Sequence, residues 1–422
     1  MTYVGRQGLP VRRGGSPETP RVTDRDGRKP EPGGPPPPGC IVAVPVRNEV
    51  DRIAACLRAL ATQEGIGEGA LGVVLFLNNC TDGTAEAVAA LAPSLRLPLR
   101  VIERDFAGAQ AGWARREAME AAAAWLDESP SETAPDGVIL TTDADSRVPP
   151  DWVARNLTAL AQGADAIAGT IALDAAEAAR LPDALHARGR LEGAYEAALI
   201  ALEAWIDPVA HDPWPRHATR SGATLAVRLS AYRAAGGMPA IPLGEDRAFV
   251  AALLAADARV RHAPDIVVVT SGRLDGRAPG GAADTMRRRC EAPESPCDPR
   301  LEPLWRALFR FAWRRRLRRL HAAGRLDRTG LWAPWLRIGA DAARRIAALP
   351  TLGARLAAIE VQSPLLAPRP LRPGALPRHI RGAHRLLAGL RHGAQSRQVL
   401  RGLRPGKTRP ALGQASEPAS HA

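Results

Sequence analysis

Short apolar runs alternate with longer stretches of helical composition between residues 40 and 290. The runs rich in Val, Ile and Leu predict strands at 41–45, 73–77, 99–103 and 138–142, with further strands at 166–171, 223–227 and 266–270. Stretches rich in Ala, Leu, Glu and Arg predict helices at 50–63, 84–91 and 111–126. Because the strand-like runs are continuously apolar, we expect an α/β fold with a mostly parallel sheet that helices cover on both faces.

The two ends of the chain differ from this middle part. Residues 1–39 are rich in Pro and Gly, so we expect a disordered leader and a first packed element at Cys40. After Arg300 the strand-like runs stop, and apolar residues recur at helical spacing over 301–320. The predicted domains are an α/β domain at 40–290, a basic and mostly helical region at 291–404 that Pro/Arg-rich 367–378 interrupts, and a disordered tail at 405–422.

Composition excludes several classes of protein. No window of the 422 residues approaches the roughly 18 apolar residues of a membrane span, and the N-terminus has no apolar core of a signal peptide. The five scattered cysteines predict free thiols, with a bridge between Cys290 and Cys297 as the alternative. We therefore expect a cytoplasmic protein rather than an integral membrane or secreted one.

The charge is unevenly distributed along the chain. The net charge of +13 consists of +3 for residues 1–39, −7 for 40–290 and +17 for 291–422. Of the 57 basic residues only Lys29 and Lys407 are lysines, and both lie in the predicted tails. This distribution argues against chemistry that needs a core lysine. It leaves nucleic-acid binding by the basic end as a minor alternative, which would not explain the acidic middle.

Polar residues follow three of the predicted strands where each ends. The sequence VRNE follows Pro45, the turn NNCTDGT begins at Asn78, and Asp143 and Asp145 follow the fourth strand. Ligands of open parallel sheets bind beyond the carboxyl ends of strands. Two carboxylates at i and i+2 offer hard oxygen ligands to Mg²⁺ or Mn²⁺, although Asp143 and Asp145 would also suit a helix cap or turn.

Seven motifs over residues 40–281 resemble those of glycosyltransferase family 2, whose members have the GT-A fold of the nucleotide-diphospho-sugar transferase superfamily. They are VPVRNE at 44–49, NNCTDGT at 78–84, WARREAMEAA at 113–122, TTDADSRVPPDW at 141–152, SGATLAVRLSAYRAAGGMP at 221–239, GEDRAF at 244–249 and TSGRLDGRAPGG at 270–281. The resemblance implies transfer of a sugar from a nucleotide-diphospho-sugar to a hydroxyl acceptor. Since a QxxRW-type motif and flanking spans are absent from the sequence, we expect a single transfer rather than polymerisation.

The resemblance also implies roles for the acidic residues. Asp143 and Asp145 match the family's DxD motif, whose metal bridges the donor diphosphate and neutralises charge on the leaving group. Asp246 matches the catalytic base of inverting members, and the adjacent Glu245 is expected to orient the acceptor or the backbone. The alternative for Glu245 and Asp246 is a pair of acids in the first turn of a helix.

The remaining matches concern the donor. Pro45, Glu49 and the turn from Asn78 through Asp82 match the nucleotide-binding half, and Asn78 stands where the family often has Asp. An amide both donates and accepts, so the nucleobase stays open, with uridine as the default.

Three arginines complete the candidate set. Arg115 matches an arginine near the nucleotide, with a solvated helix face as the alternative. Arg273 and Arg277 could clamp the diphosphate as a lid closes, or belong to a basic surface loop.

The helix predicted over 301–320 has two interpretations. It could lie on an anionic membrane surface, with aromatics such as Trp305 and Phe309 inward and arginines on the lipid headgroups. Such a peripheral contact at the inner face of the membrane would suit a lipid or lipid-linked acceptor. Alternatively, the apolar stripe packs on the catalytic domain and the arginines are solvated. A non-catalytic, nucleotide-binding member of the same fold is the other functional alternative.

Overall fold

The computed structural model describes residues 21–24, 38–105, 110–128, 136–277 and 280–402. The predicted tail at 405–422 and most of the predicted leader lie outside these ranges. Within the leader, Arg21–Asp24 forms a strand that pairs antiparallel with Leu99–Arg104. The prediction that the first element begins at Cys40 is therefore wrong, because the edge strand of the sheet is available for one more partner.

Among the described residues, eight strands form one mixed sheet. They are β1 (Arg21–Asp24), β2 (Cys40–Val46), β3 (Leu71–Asn78), β4 (Leu99–Arg104), β5 (Val138–Thr141), β6 (Ala166–Leu173), β7 (Leu225–Arg228) and β8 (Val260–Thr270), in the order β1-β4-β3-β2-β5-β7-β6-β8. The neighbours β4, β3, β2 and β5 are parallel, β7 is antiparallel to β5 and β6, and β8 is parallel to β6. The predicted mostly parallel sheet is confirmed.

Helices cover both faces of the sheet and form the C-terminal region. They are α1 (Ile53–Ala61), α2 (Thr84–Leu91), α3 (Ala111–Glu128), α4 (Trp152–Ala161), α5 (Ala175–Ala178), α6 (Asp183–Ile206), α7 (Leu229–Ala234), α8 (Glu245–Ala255), α9 (Ala282–Glu291), α10 (Leu304–Ala322), α11 (Ala340–Ala347), α12 (Leu352–Gln362) and α13 (Leu376–Gly402). Short 3-10 turns lie at Ala92–Ser94, Thr329–Leu331, Pro334–Leu336 and Pro373–Ala375. The last of these falls in the predicted Pro/Arg-rich interruption.

The continuous apolar strands follow from burial on both faces. In β2, Val42 and Val44 pack into a core with α1 and α4, whereas Ile41 and Ala43 pack into a second core with α3 and α8. Successive side chains of a strand point to opposite faces, so a strand covered on both sides needs apolar residues at every position.

The C-terminal helices pack on the α/β domain. Leucines of α6 share a core with α10 and α13. The start of α12 docks on the end of α8, where Asp257 accepts hydrogen bonds from the Leu352 and Gly353 amides at 3.0 and 2.6 Å. A Cβ at Gly353 would lie 1.8 Å from the Leu254 carbonyl oxygen, so only glycine permits this approach. No helix of the described part is long and apolar enough to cross a membrane.

One face of α10 carries arginines toward the protein interior. Four arginines spaced four residues apart lie on this face. Arg306 pairs with Glu302, and Arg310 pairs with Glu302 and Glu360. Arg314 pairs with Glu203 and Glu360, and Arg318 pairs with Asp207. The expectation that these four arginines would be solvated or face lipid is wrong. Charge pairing with Glu302, with Glu203 and Asp207 in and just after α6, and with Glu360 of α12 turns them toward the protein, which hydrophobic spacing alone does not reveal. Trp305 is 64% exposed, so it does not belong to an apolar stripe packed on the catalytic domain.

The loop between α6 and β7 contains a neutral histidine. His217 Nδ1 accepts a hydrogen bond from the Thr219 amide at 2.9 Å, and Nε2 lies 3.1 Å from the Ala168 carbonyl oxygen. Only the neutral imidazole with its proton on Nε2 satisfies both contacts. Burial, together with the charge of His262, lowers the pKa of His217 to about 4.

We expect the folded protein to lose stability as the pH falls from about 6.5 to about 4. In that window the unfolded chain binds a proton at His217 and the folded protein does not, so protonation favours unfolding. Above pH 6.5 the contribution is fully present. Chemical denaturation at pH 7.5 and 5.0 should show that His217→Asn, which keeps an acceptor for Thr219 but cannot titrate, loses about 1–2 kcal/mol less than the unsubstituted protein. Equal losses would contradict a neutral His217.

All five cysteines lie in the described ranges and are free thiols. Burial raises the pKa of Cys297 to about 11 and that of Cys40 to about 12. These thiols are therefore protonated and unreactive at neutral pH.

Candidate active site

The carboxyl ends of β2, β3 and β5 lie side by side because these strands are parallel neighbours. The chain leaves β2 and β3 through Asn48 and Asn79, whose φ values of 52° and 50° are in the left-handed region that Asn tolerates. Glu49, the turn of residues 78–84 and Asp143 follow these strand ends. The predicted polar segments are thus at one edge of the sheet.

Arg115 is the centre of a buried hydrogen-bond network at this edge. Its Nη2 pairs with Asp143 Oδ1, and its Nε donates to Glu245 Oε1 at 3.0 Å. Its Nη1 donates to Thr141 Oγ1 at 2.8 Å and to the Gly222 carbonyl oxygen at 3.0 Å. Burial opposes the charge of Arg115, but the two carboxylates outweigh burial and raise the pKa of the guanidinium. The solvated helix face that sequence left as an alternative is excluded.

Two of the matched motifs meet at Arg115 because Gly222 has no side chain. A Cβ at Gly222 would lie 2.4 Å from Arg115 Cζ, so the SGA segment can pass over the guanidinium only with glycine at this position. The Gly222 amide in turn donates to Asp246 Oδ2 at 3.1 Å. The segment therefore joins Arg115 to Asp246.

Glu245 and Asp246 have different environments at the start of α8. Gly244, with φ of 77°, precedes the helix and turns the chain into it. Glu245 is buried, and its carboxylate is held by Arg115. Asp246 is only partly buried, and its carboxylate accepts hydrogen bonds from the amides of Gly222 and Arg247. Of the two, Asp246 is the carboxylate open to a reacting group.

Arg273 connects two acids of the strand ends. Its guanidinium forms a bidentate pair with Glu49, with Nη1 2.8 Å from Oε2, and Nη2 lies 3.1 Å from Asp145 Oδ2. Glu49 is buried and its amide donates to Thr84 Oγ1 at 2.9 Å. The segment after β8 therefore closes over the ends of β2 and β5.

The surroundings of Asp145 disfavour the ionised form of its carboxyl group. Burial, followed by the charge of Asp143, raises its pKa to about 6, although Arg273 acts in the opposite direction. Thr270 donates a long hydrogen bond of 3.4 Å to its Oδ1. The pair of carboxylates therefore has an excess of negative charge that Arg115 and Arg273 do not fully offset.

This charge suits a divalent cation. Asp143 and Asp145 supply two hard oxygen donors at one strand end, the donor set that Mg²⁺ uses when substrate phosphates complete its shell. No cluster of three or more His, Cys, Asp or Glu side chains in the described ranges could hold a metal ion alone. The residues present fit a metal that arrives with a phosphate ligand.

The other predicted donor residues lie around the ends of β2 and β3. Asp82 accepts hydrogen bonds from the Val50 amide at 3.2 Å and from Thr84. Burial alone would raise the pKa of Asp82, but these hydrogen bonds outweigh it and lower the pKa. Asn78 is buried, and its Oδ1 has no hydrogen-bond partner among the described residues. Pro45 lies near the end of β2, opposite Phe76. Arg277 is half exposed and donates to the Asn48 carbonyl oxygen at 3.0 Å.

Sequence reasoning missed Glu177, which anchors the segment after β8. Its Oε2 accepts from Ser271 Oγ at 2.8 Å and from the Gly272 amide at 2.7 Å, while Oε1 pairs with Arg52 at 2.7 Å. Glu177 lies in α5, within an Ala- and Glu-rich stretch whose composition indicates only a helix. Long-range contacts of this kind have no local sequence signal.

A model of the family described as glycosyl transferase family 2 matches residues 41–211 of the chain. The match confirms the resemblance and supports a glycosyltransferase. It covers the strand-end segments of Glu49, Asn78, Asp143 and Asp145, and Arg115 of α3. No curated protein matches the chain significantly.

The chain is also similar to solved structures of three proteins. S. aureus TarS 1-349 in complex with UDP has 16% identity and a TM-score of 0.36, over 56% of this chain and 58% of that chain. Mannosyltransferase PcManGT from Pyrobaculum calidifontis in complex with GDP-Man and Mn²⁺ has 21% identity and a TM-score of 0.38, over 79% and 90%. Glucosyl-3-phosphoglycerate synthase from Mycobacterium tuberculosis in complex with Mn²⁺, UDP and phosphoglyceric acid has 14% identity and a TM-score of 0.36, over 59% of this chain and 75% of that chain. The chain thus spans less than two thirds of TarS 1-349, and TM-scores below 0.5 assign no substrate.

Proposed function

We propose that this chain transfers a single sugar, with inversion, from a nucleotide-diphospho-sugar to a hydroxyl acceptor. The observation that carries the proposal is the network around Arg115, which joins Asp143 of the DxD segment to Glu245 and, through Gly222, to Asp246. A donor-side acid pair and an acceptor-side acid are thereby held at the same edge of the sheet. A non-catalytic binding protein would not need Asp246 to stay partly open beside that network.

Asp143 and Asp145 are the proposed ligands of Mg²⁺ or Mn²⁺. The bound cation would neutralise charge that develops on the leaving nucleoside diphosphate. The raised pKa of Asp145 supports this assignment, since a nearby cation would favour the ionised carboxylate. Arg273 would move its guanidinium from Asp145 toward the donor phosphates, where a bidentate contact is favourable.

Asp246 is the proposed general base. It would accept the proton of the acceptor hydroxyl as the oxygen attacks C1 of the sugar. Glu245 is already paired with the buried Arg115, so we assign it to positioning Arg115 and the SGA segment. Its burial supports this division between the two adjacent acids.

The nucleobase is proposed to lie near Asn78 at the end of β3. The unpartnered Asn78 Oδ1 could accept a hydrogen bond, as a uracil or guanine imide provides, after a small movement of the turn. Uridine remains the default from the family resemblance. Arg277, beside Asn48, and Pro45 belong to the same proposed donor side.

The acceptor and the place of action remain predictions of the sequence. A lipid-linked acceptor and a peripheral contact with an anionic membrane have less support now that four arginines of α10 face inward. Such a contact would use the residues of α10 that are exposed, among them Trp305, Arg316 and Arg319. Nucleic-acid binding is not part of the proposal.

The test is donor binding by the full chain. We expect UDP or GDP at saturating concentration to raise the melting temperature only when Mn²⁺ or Mg²⁺ is present, because the diphosphate completes the cation's shell. At 100 times the dissociation constant, the stabilisation should be about 2.7 kcal/mol. Nucleoside monophosphates, which lack the bridging diphosphate, serve as the control. If no nucleoside diphosphate raises the melting temperature in a metal-dependent way, the proposal is refuted.

A further inference from the structure

A cavity of about 360 Å³ lies between the sheet and the C-terminal helices. Its walls come from α6, the 216–220 segment, the start of β8, residues 299–302, α10 and Glu360 of α12. Six arginines and six acidic residues line it, together with two histidines. This volume is in the range of small-molecule sites, and so many charges are unusual for a packing defect.

Most of the lining charges are paired with each other. Glu203 contacts Arg216 at 2.9 Å and Arg314 at 2.8 Å. Glu360 contacts Arg314 at 2.6 Å and Arg310 at 3.9 Å. Glu203 and Glu360 are therefore each already shared by two arginines.

Arg220 is the exception among the lining arginines. No carboxylate of the described residues lies within ion-pairing distance of its guanidinium, and its buried Nε has no hydrogen-bond partner there. Burial, and then the neighbouring cations Arg300 and Arg314, lowers the pKa of Arg220. Two other lining residues also have buried nitrogens without partners, at Arg216 Nε and His262 Nε2. The charges of Glu203 and Glu360 act in the opposite direction on the pKa of Arg220. The acidic and basic residues of the lining are equal in number, but Arg220 has no ion pair of its own.

We propose that this cavity binds the phosphate or carboxylate group of a small organic anion, with Arg220 as its principal contact. A guanidinium offers a planar fork of donors that matches both groups bidentately. An anion would compensate a buried charge that is otherwise costly. The unsatisfied Nε of Arg216 would add a second donor, and His262 Nε2 would donate only when the imidazole is protonated, because Nδ1 already faces Asp212.

The position of Arg220 connects this site to the proposed chemistry. Arg220 precedes Gly222 by two residues, and the Gly222 amide contacts Asp246. Arg300 donates to the Ala218 carbonyl oxygen and so closes the same segment from the other side. The backbone from Ala218 to Gly222 therefore connects the lining of the cavity to the proposed base, and we assign the anion to the acceptor. This assignment to the acceptor rests on the proposed function, whereas anion binding does not.

The experiment measures melting temperature of the full chain against inorganic phosphate, glycerol 3-phosphate and malonate, at ionic strength held constant with sodium chloride. We expect a saturable rise for the unsubstituted chain, its loss in Arg220→Met and partial retention in Arg220→Lys. The exposed Arg345, changed to Gln, is the matched control and should keep the full rise. Without anion, Arg220→Met should melt no lower than the unsubstituted chain, because it removes a buried charge that has no ion pair of its own.

Other results would overturn the proposal. A lower melting temperature of Arg220→Met without anion, together with an unchanged anion response, would make Arg220 a structural residue. The same samples are titrated with UDP and GDP plus Mn²⁺, and Arg220→Met should keep the unsubstituted affinity. If nucleotide binds and no anion does, the anion site is refuted and the proposed function stands. If anions bind and no nucleotide does, the site stands but its assignment to the acceptor falls.

Discussion

Asp246→Asn is expected to slow sugar transfer by about 10²–10⁴-fold, the usual loss when a general base is removed. Asn has the shape of Asp, and its carbonyl oxygen can still accept from the Gly222 amide, so the start of α8 should keep its structure. The affinity for nucleoside diphosphate and Mn²⁺ should stay unchanged, since Asp246 is assigned to the acceptor side. Turnover is measured as nucleoside diphosphate release from the donor, and affinity by calorimetric titration.

Two further variants separate the base from its neighbour. Asp183→Asn, also in the first turn of a helix, controls for the loss of an acid at that position and should be fully active. Glu245→Gln breaks a buried ion pair with Arg115, and we expect it to lose about 3–5 kcal/mol of stability. If Glu245→Gln stays stably folded and yet turns over more slowly than Asp246→Asn, the assignment of the base to Asp246 is wrong.

Asp145→Asn is expected to remove most of the metal-dependent affinity for nucleoside diphosphate. Asn keeps the side chain's volume and the contact with Thr270, but it supplies a neutral oxygen in place of a charged ligand. The fold should be little affected, because the change also relieves repulsion between Asp145 and Asp143. Titration of UDP or GDP at fixed Mn²⁺ measures the loss.

The control for this variant is Asp151→Asn, the same substitution in an exposed pair with Arg155 at the start of α4. It should bind nucleotide with unchanged affinity. Metal-dependent affinity in Asp145→Asn equal to that of the unsubstituted chain would exclude Asp145 as a ligand. Loss of affinity in Asp151→Asn as well would mean that general charge, not coordination, carries binding.

Much of the α/β domain can be predicted from the sequence because the responsible interactions are local or repeat along the chain. Strands buried on both faces must be apolar at every position, so β2, β3 and β5 are visible as continuous runs. The polar residues directly after them mark the ends, and parallel neighbours bring those ends to one edge. For the same reason the candidate acids Asp143 and Asp145 could be named before the structure, whereas Asp246 could be named only from the family resemblance.

Only the tertiary structure decides which charges meet. The sequence around Arg115 in α3 does not distinguish it from a solvated arginine. Its burial depends on Asp143, Glu245 and the missing side chain at Gly222. The inward arginines of α10 depend in the same way on acids from α6 and α12.

The sequence by itself therefore determined the α/β pattern, the strand ends and the acids that follow them, because hydrophobic burial and strand direction depend on neighbouring positions. It could not determine the pairing of Glu49 with Arg273, the anchoring by Glu177 or the unpaired Arg220 in its cavity. The partner of Glu49 lies 224 residues away along the chain and that of Glu177 lies 94 residues away, and these contacts form only when the assembled fold excludes water. Whether a buried charge is compensated is a property of the packed molecule, since the cost and the compensation both arise only when water is excluded.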